Sequence, residues 1–330
     1  MSLLKPTLKD VAKLSGVSDI SVSRVFRNTA HISKNMRQKV EAAARELNYT
    51  PNKIAGALAS NKADLIVVVL PTLQHPRYIQ ILSGINSILG QSKYRVMLGV
   101  NDYAKKLEVQ TVKDFLAWRP SGIILVGTGY SPATYQLLEQ ATSPVVEILN
   151  AGKCPADFGF SFSYLSAVQS LVDHWIAKGC QKVAYVETSE MPLISNVFKR
   201  NLITQLKESG IQLVCKMSTK RPSSTSLGIS LCKKVVEQNP EVDVIFLAGD
   251  NFTNYPSLYN AMNIPTNVML ASFGQPSGED KTLPQMDLIA LPFEPIGSKA
   301  ARFISSGKDI AEWNQTKGAM LPAEFHQGFN

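Results

Sequence analysis

From Leu65 onward, short apolar runs alternate with stretches whose apolar residues recur at helical spacing, and this alternation restricts the fold more than any other feature of the chain. Strand-sized runs occupy residues 65–70, 94–100, 122–126 and 145–149, with helical patterns such as 76–90 and 105–118 between them. A second series begins at 182–186 and continues through 211–215, 244–248 and 268–273. A last pair follows, 288–291 and then 295–306, which should return to the first series. Strand–helix alternation implies parallel sheets with right-handed crossovers. Two series in succession imply two lobes. No apolar run approaches the roughly 18–20 residues that cross a bilayer. Lys5 is followed by no apolar signal core, so the expected compartment is the cytoplasm and no membrane partner is expected. Four cysteines (Cys154, Cys180, Cys215, Cys232) form no C-x-x-C pair and fit reduced core positions.

Before Leu65 the chain is different in kind. Residues 1–62 carry seven lysines and four arginines against Asp10, Asp19, Glu41 and Glu46, a net +7, while the other 268 residues carry only +1. A compact basic head on a neutral body predicts that the head meets nucleic acid and the body does something else.

The head reads as three helices. Thr7 stands three residues ahead of Asp10 as in a capping box, and Leu8, Val11, Ala12 and Ser15 follow at helical spacing. Gly16-Val17-Ser18 supplies a tight turn, an apolar plug and a cap for a second helix, 19–27, with Val22 and Val25 inward. Ser33 caps a third, 34–47, whose Val40, Ala43, Ala44 and Leu47 recur on one face. Two short helices joined by a tight turn and braced by a third match the DNA-binding helix-turn-helix.

The runs Thr7-Leu-Lys-Asp-Val-Ala-Lys-Leu-Ser-Gly-Val-Ser18, Ser21-Val-Ser-Arg-Val25 and Lys39-Val-Glu-Ala-Ala-Ala-Arg-Glu-Leu-Asn-Tyr-Thr-Pro-Asn52 strongly resemble the LacI/GalR family of bacterial repressors. The likeness is close over residues 7–60 and weaker beyond. Within the family, Pro71-Thr72-Leu73 and Pro144-Val145-Val146-Glu147 look most like repressors of gluconate utilisation. The resemblance implies a helix-turn-helix domain at 1–50, a hinge helix at 51–62 and an effector-binding and dimerisation domain at 63–330. That last domain would have the two-lobed periplasmic-binding-protein type I fold, with lobe one near 63–158 plus 292–322 and lobe two near 159–291.

For DNA, the resemblance implies that the second helix enters the major groove by its N-terminal end, after its cap Ser18, with Asp19, Ile20 and Arg24 at base edges. Arg24 has the planar fork that reads guanine O6 and N7. Ile20 suits a thymine methyl. Asp19 either accepts from a cytosine N4 or stabilises its helix N-terminus. Thr7, Ser21, Ser23 and His31 align with backbone-contacting positions. In the hinge, Asn52, Lys53 and Ala55 would lie along a narrow minor groove, with Ala57 and Ala59 equally slim, and Leu58 would wedge between base steps. Gly56 costs about 0.5–1 kcal/mol in a helix. Hinge folding therefore depends on DNA.

For the body, ligands of open α/β sheets sit beyond the carboxyl ends of strands, and two facing sheets put the pocket between lobes. The candidates are Leu73, His75 and Arg77, with Gln74 beside them; Asn150; Phe160; Phe198 and Lys199; Asp250; and Phe273 with Gln275. Asp250 falls where family members keep an Asp for effector hydroxyls. Arg77 and Lys199 could receive a carboxylate or phosphate. Three departures stand out: Phe198 replaces a common Arg, Asn150 replaces an Asp, and Ser161-Phe162 replaces an Asp-Asn pair.

Catalysis is not expected. Gly127-Thr128-Gly129-Tyr130-Ser131-Pro132 lacks the third glycine of a dinucleotide fingerprint and predicts a loop over the sheet. The four histidines show no metal-ligand spacing, and no G-x-S-x-G or phosphate loop occurs. The expected partners are palindromic double-stranded operator DNA, a sugar or sugar-acid effector and a second copy of the chain, with no cofactor. The competing expectations are a regulator whose pocket has decayed and which answers to a protein partner, and a cytoplasmic sugar-binding protein.

Overall fold

The computed structural model describes residues 6–27, 32–52, 63–127, 129–150, 158–187, 192–219, 224–249, 264–265, 267–274, 286–306 and 318–327. The chain divides into two compact units, Met1–Asp64 and Leu65–Asn330.

Local chemistry sets the helices of the first unit. Helix α1 (Leu8–Ser15) starts at Thr7, whose backbone N–H and hydroxyl both donate to the Asp10 carboxylate at 2.7 Å. It stops at Gly16, which takes the left-handed conformation (φ 69°) that L side chains resist. Helix α2 (Asp19–Phe26) is capped by Ser18, whose Oγ accepts from the Ser21 N–H. Helix α3 (Lys34–Glu46) is capped in the same way by Ser33, which accepts from Met36. Val11, Ala12, Val22, Val25, Val40, Ala43 and Ala44 close one small core among the three helices.

The second unit holds two six-stranded sheets. The strands are β1 (Ala63–Leu70), β2 (Arg95–Val100), β3 (Pro120–Val126), β4 (Val145–Ile148), β5 (Phe158–Ser163), β6 (Lys182–Glu187), β7 (Gln212–Ser218), β8 (Val244–Ala248), β9 (Met269–Phe273), β10 (Asp287–Ala290), β11 (Gly318–Pro322) and β12 (Glu324–His326). The first sheet runs β11-β5-β4-β3-β1-β2 and the second β12-β10-β9-β8-β6-β7. Their pairings are parallel for β1–β2, β3–β4, β4–β5, β5–β11, β6–β7, β6–β8, β8–β9 and β9–β10. Only β10–β12 is antiparallel among the described pairs. Helices α4 (Pro76–Leu89), α5 (Lys105–Ala117) and α6 (Pro132–Leu138) link strands of the first sheet. Helix α7 (Leu165–Ala177) leads into the second, whose strands are joined by α8 (Pro192–Glu208) and α9 (Thr225–Gln238). Helix α10 (Phe293–Ser306) returns to pack on α4.

Each sheet reverses its winding once. In the first, β1 and β3 lie side by side with β2 outside β1; in the second, β6 and β8 are neighbours with β7 outside β6. These two reversals are where an α/β sheet opens a crevice beyond its strand ends.

The passages between sheets differ from expectation in two places. Strand β5 extends the first sheet to Ser163, so the chain leaves that lobe later than the boundary near residue 158. Its pattern, Phe-Gly-Phe-Ser-Phe-Ser, alternates instead of forming an apolar run, which hides it. At the far end, residues 288–291 were expected to return to the first lobe, but β10 pairs with β9 in the second sheet; α10 and β11 make the return, and β12 crosses again to the second sheet. The loop expected over residues 127–132 gives way at its last residue, Pro132, to α6 under a Ser131 cap.

Candidate nucleic-acid interface and effector site

In the first unit, the chemistry gathers on one side of α2. Val22 and Val25 are buried, which leaves Asp19, Ile20 and Arg24 exposed together at spacings that span less than half a helical turn in projection. Ile20 is 65% exposed, and an exposed isoleucine beside a carboxylate and a guanidinium has no packing role in the bundle. Ser21 and Ser23 are half-buried; Ser21 Oγ lies 2.9 Å from Ser18 Oγ, and Ser23 Oγ accepts from Arg27 Nη2 at 2.9 Å. Ser18 thus holds the helix end, and Asp19 is left to face outward. Thr7 is exposed but committed to Asp10, whose carboxyl the Thr7 hydrogen bonds hold below the usual carboxylate range. Asn52 is exposed. His31, Lys53, Ala55 and Leu58 lie outside the described residues.

In the second unit, the first sheet brings Leu73, His75 and Arg77 to its carboxyl edge, after β1. Leu73 is exposed, His75 is half-buried at the N-cap of α4, and Arg77 is buried at 4% exposure. The Arg77 guanidinium sits 4.7 Å from the centre of the Tyr78 ring, and its Nη2 is 3.5 Å from the hydroxyls of Tyr78 and Tyr103. Tyr103 reaches that point from a backbone in which it and Asp102 both hold positive φ (59° and 47°). Such conformations are costly for side-chain-bearing residues and collect at sites that need a fixed geometry. Asn150 donates to Glu147 Oε2 at 2.6 Å, and the Tyr135 hydroxyl donates to the other oxygen of the same fully buried carboxylate.

The second sheet places its candidates differently. Phe198 on α8 is fully buried, stacked on Phe246 at 4.7 Å and edge-on to Phe273 at 4.8 Å, with Tyr164 at 5.9 Å. Aromatic packing occupies the position where a cation was the alternative. Lys199 is not an open anion receptor: its Nζ donates to Glu187 Oε2 at 2.6 Å. Phe160 is a correction to the expected site, because it lies within β5, fully buried against Phe158 and Phe303 in the first lobe's core. Asp250 and Gln275 lie outside the described residues. Glu187 and Tyr103 escaped the sequence reading. The first ends a strand that the apolar run stops one residue short of, and the second follows β2, from which no candidate was drawn.

Other polar clusters are structural. His174 and Trp175 both approach buried Asp287, Nε2 at 3.5 Å and Nε1 at 3.0 Å. Among the described residues no group of three or more His, Cys, Asp or Glu could hold a metal. No described helix is long and apolar enough to cross a membrane.

Residues 7–52 match the family described as "Bacterial regulatory proteins, lacI family", and residues 63–253 match "Periplasmic binding proteins and sugar binding domain of LacI family". The HTH-type transcriptional regulator GntR of Pseudomonas aeruginosa is 28% identical over 318 residues, covering 93% of this chain and 92% of that protein. Catabolite control protein A of Priestia megaterium is 25% identical, covering 91% of each chain. Among solved structures, a LacI-family transcriptional regulator from Silicibacter pomeroyi superposes with a TM-score of 0.80 at 29% identity, over 98% of each chain. The lac repressor dimer bound to operator and an anti-inducer superposes with a TM-score of 0.83 over 98% of each chain; at 21% identity this speaks for the fold alone.

Proposed function

This chain belongs to the LacI family of bacterial regulatory proteins, DNA-binding transcriptional regulators and not enzymes, and from that premise we propose that it is a repressor of a carbohydrate or sugar-acid operon. Two copies associate through their second units, and each head reads one half of a palindromic operator. The exposed trio Asp19, Ile20 and Arg24 on α2 carries this reading. Arg24 takes guanine, Ile20 a thymine methyl, and Asp19 a cytosine N4 or the positive end of its own helix. Thr7, Ser21, Ser23 and His31 position the backbone, and the segment with Asn52, Lys53, Ala55 and Leu58 orders in the minor groove at the operator centre.

Control comes from a small molecule between the lobes. Its contacts are Leu73, His75, Arg77, Asn150, Lys199, Asp250, Phe273 and Gln275, with the fully buried Phe198 as packing behind them. Binding acts by differential affinity for two lobe arrangements, one of which favours the folded hinge. The sealed aromatic packing of Phe198 favours a second reading, a regulator with no small-molecule ligand. The test of the DNA reading compares Arg24→Ala with Lys53→Ala on matched and scrambled duplexes. The first is expected to lose discrimination by about 1–3 kcal/mol. The second is expected to weaken both duplexes equally and to flatten the salt dependence. Unchanged selectivity in Arg24→Ala refutes the assignment.

A further inference from the structure

Glu187 is the last residue of β6, at the reversal between β6 and β8 where the second sheet opens its crevice. Lys199, twelve residues on and one turn into the described side chains of α8, reaches back to it with Nζ 2.6 Å from Oε2. The two side chains keep 11% and 14% exposure, in contrast to the sealed Phe198 beside them. The Tyr185 ring flanks the ammonium at 5.8 Å.

An ammonium has three N–H donors and a carboxylate about four lone-pair sites, so the one bond between their side chains among the described residues leaves capacity on both. Buried charges persist when their remaining hydrogen-bonding capacity is satisfied. A hydroxyl both donates and accepts, and neighbouring hydroxyls can bridge such a pair without disturbing it. An anion cannot. It could accept a spare N–H of Lys199 only by lying against the Glu187 carboxylate, whose negative charge repels it and already offsets the ammonium.

We propose that Glu187 and Lys199 together form the second lobe's contact for an uncharged, polyhydroxylated ligand, and that Glu187 excludes the corresponding acid by cancelling Lys199. This rests on the reading of the chain as a ligand-controlled regulator, and it selects the carbohydrate over the sugar acid. Glu187 is a specificity-determining residue in this arrangement.

The experiment measures full-length protein by calorimetric titration at constant ionic strength, with ligand pairs that differ in charge: glucitol and gluconate, galactitol and galactonate, glucose and glucuronate. In the pair that responds, the uncharged member is expected to bind about tenfold or more tightly, the scale of a single mispaired charge. Glu187→Gln frees Lys199 and is expected to move the ratio toward the acid by about tenfold. Lys199→Gln is expected to lose the uncharged ligand without gaining the acid. Tighter binding of an acid by the unaltered protein, a ratio unmoved in folded Glu187→Gln, or no response to any pair overturns the proposal. Operator discrimination measured on the same preparation separates the failures. If it is retained, only the ligand inference falls; if it is absent, the regulatory reading falls with it.

Discussion

Gly84 of α4 lies so close to Glu294 of α10 that a Cβ placed on the glycine would stand 2.0 Å from the Glu294 carbonyl oxygen. The contact is reciprocal, since a Cβ on Gly297 would stand 2.2 Å from the carbonyl oxygen of Ile81. Ser298 Oγ donates to the Gly84 carbonyl at 3.1 Å across the same crossing. Here two helices meet backbone to backbone, and α4 is the helix that carries Arg77 at its cleft end. In an isolated helix Gly84→Ala would add about 1 kcal/mol of stability. In this crossing it should instead cost about 1–3 kcal/mol or more, because backbone cannot swing aside as a side chain can. All three tryptophans (Trp118, Trp175, Trp313) belong to the second unit, so urea unfolding followed by tryptophan fluorescence reads this unit alone.

Glu108 of α5 ties down the start of α6. Its Oε1 accepts from the Ser131 N–H at 2.7 Å and from the Thr134 hydroxyl at 2.5 Å, with Lys105 at 3.5 Å. Burial alone would raise its carboxyl, but the hydrogen bonds from Ser131 and Thr134, with Lys105, outweigh it and hold the group below the ordinary glutamate value of 4.5. A depressed native value contributes stability above the unfolded value and loses it as pH falls through the native one. Glu108→Ala should cost about 1–3 kcal/mol at neutral pH, since it strands a hydroxyl and an N–H. The gap between the two proteins should narrow on acidification below pH 4.5, as followed by the same fluorescence.

In the head, Ser18→Ala removes the acceptor for the Ser21 N–H and is expected to cost about 0.5–2 kcal/mol. Hydrogen exchange of the α2 amides checks it: protection should fall there first, with the tryptophan-monitored transition of the second unit unmoved.

Burial pushes the Cys232 thiol up to about 12. Burial, helped by Asp243 and Asp287, pushes Cys180 up to about 11. Both should resist iodoacetamide in the native protein at pH 8 and react fully in urea, as mass spectrometry would show. Native alkylation as fast as in urea would contradict their placement.

What could be read before the fold was known was what depends on neighbours in the chain. Ser18, Gly16 and Ser33 act within one turn of themselves, and their caps and turn are where local chemistry puts them. Continuous apolar runs such as Val244–Ala248 announce a strand buried on both faces. The alternating β5, the short edge strand β11 between Gly318 and Pro322, and the three-residue edge strand β12 carry no such signal. Phe160 was misplaced for that reason. The Glu187–Lys199 bond joins a strand end to a helix, and no spacing rule links those positions.

Selection of bound duplexes from a random pool, by the full-length protein at moderate ionic strength, tests the whole account most directly. It predicts enrichment of palindromes whose half-sites place a guanine where Arg24→Ala, and only that variant, abolishes the preference. Recovery of a pool no better bound than scrambled competitor, with or without carbohydrate present, would contradict it.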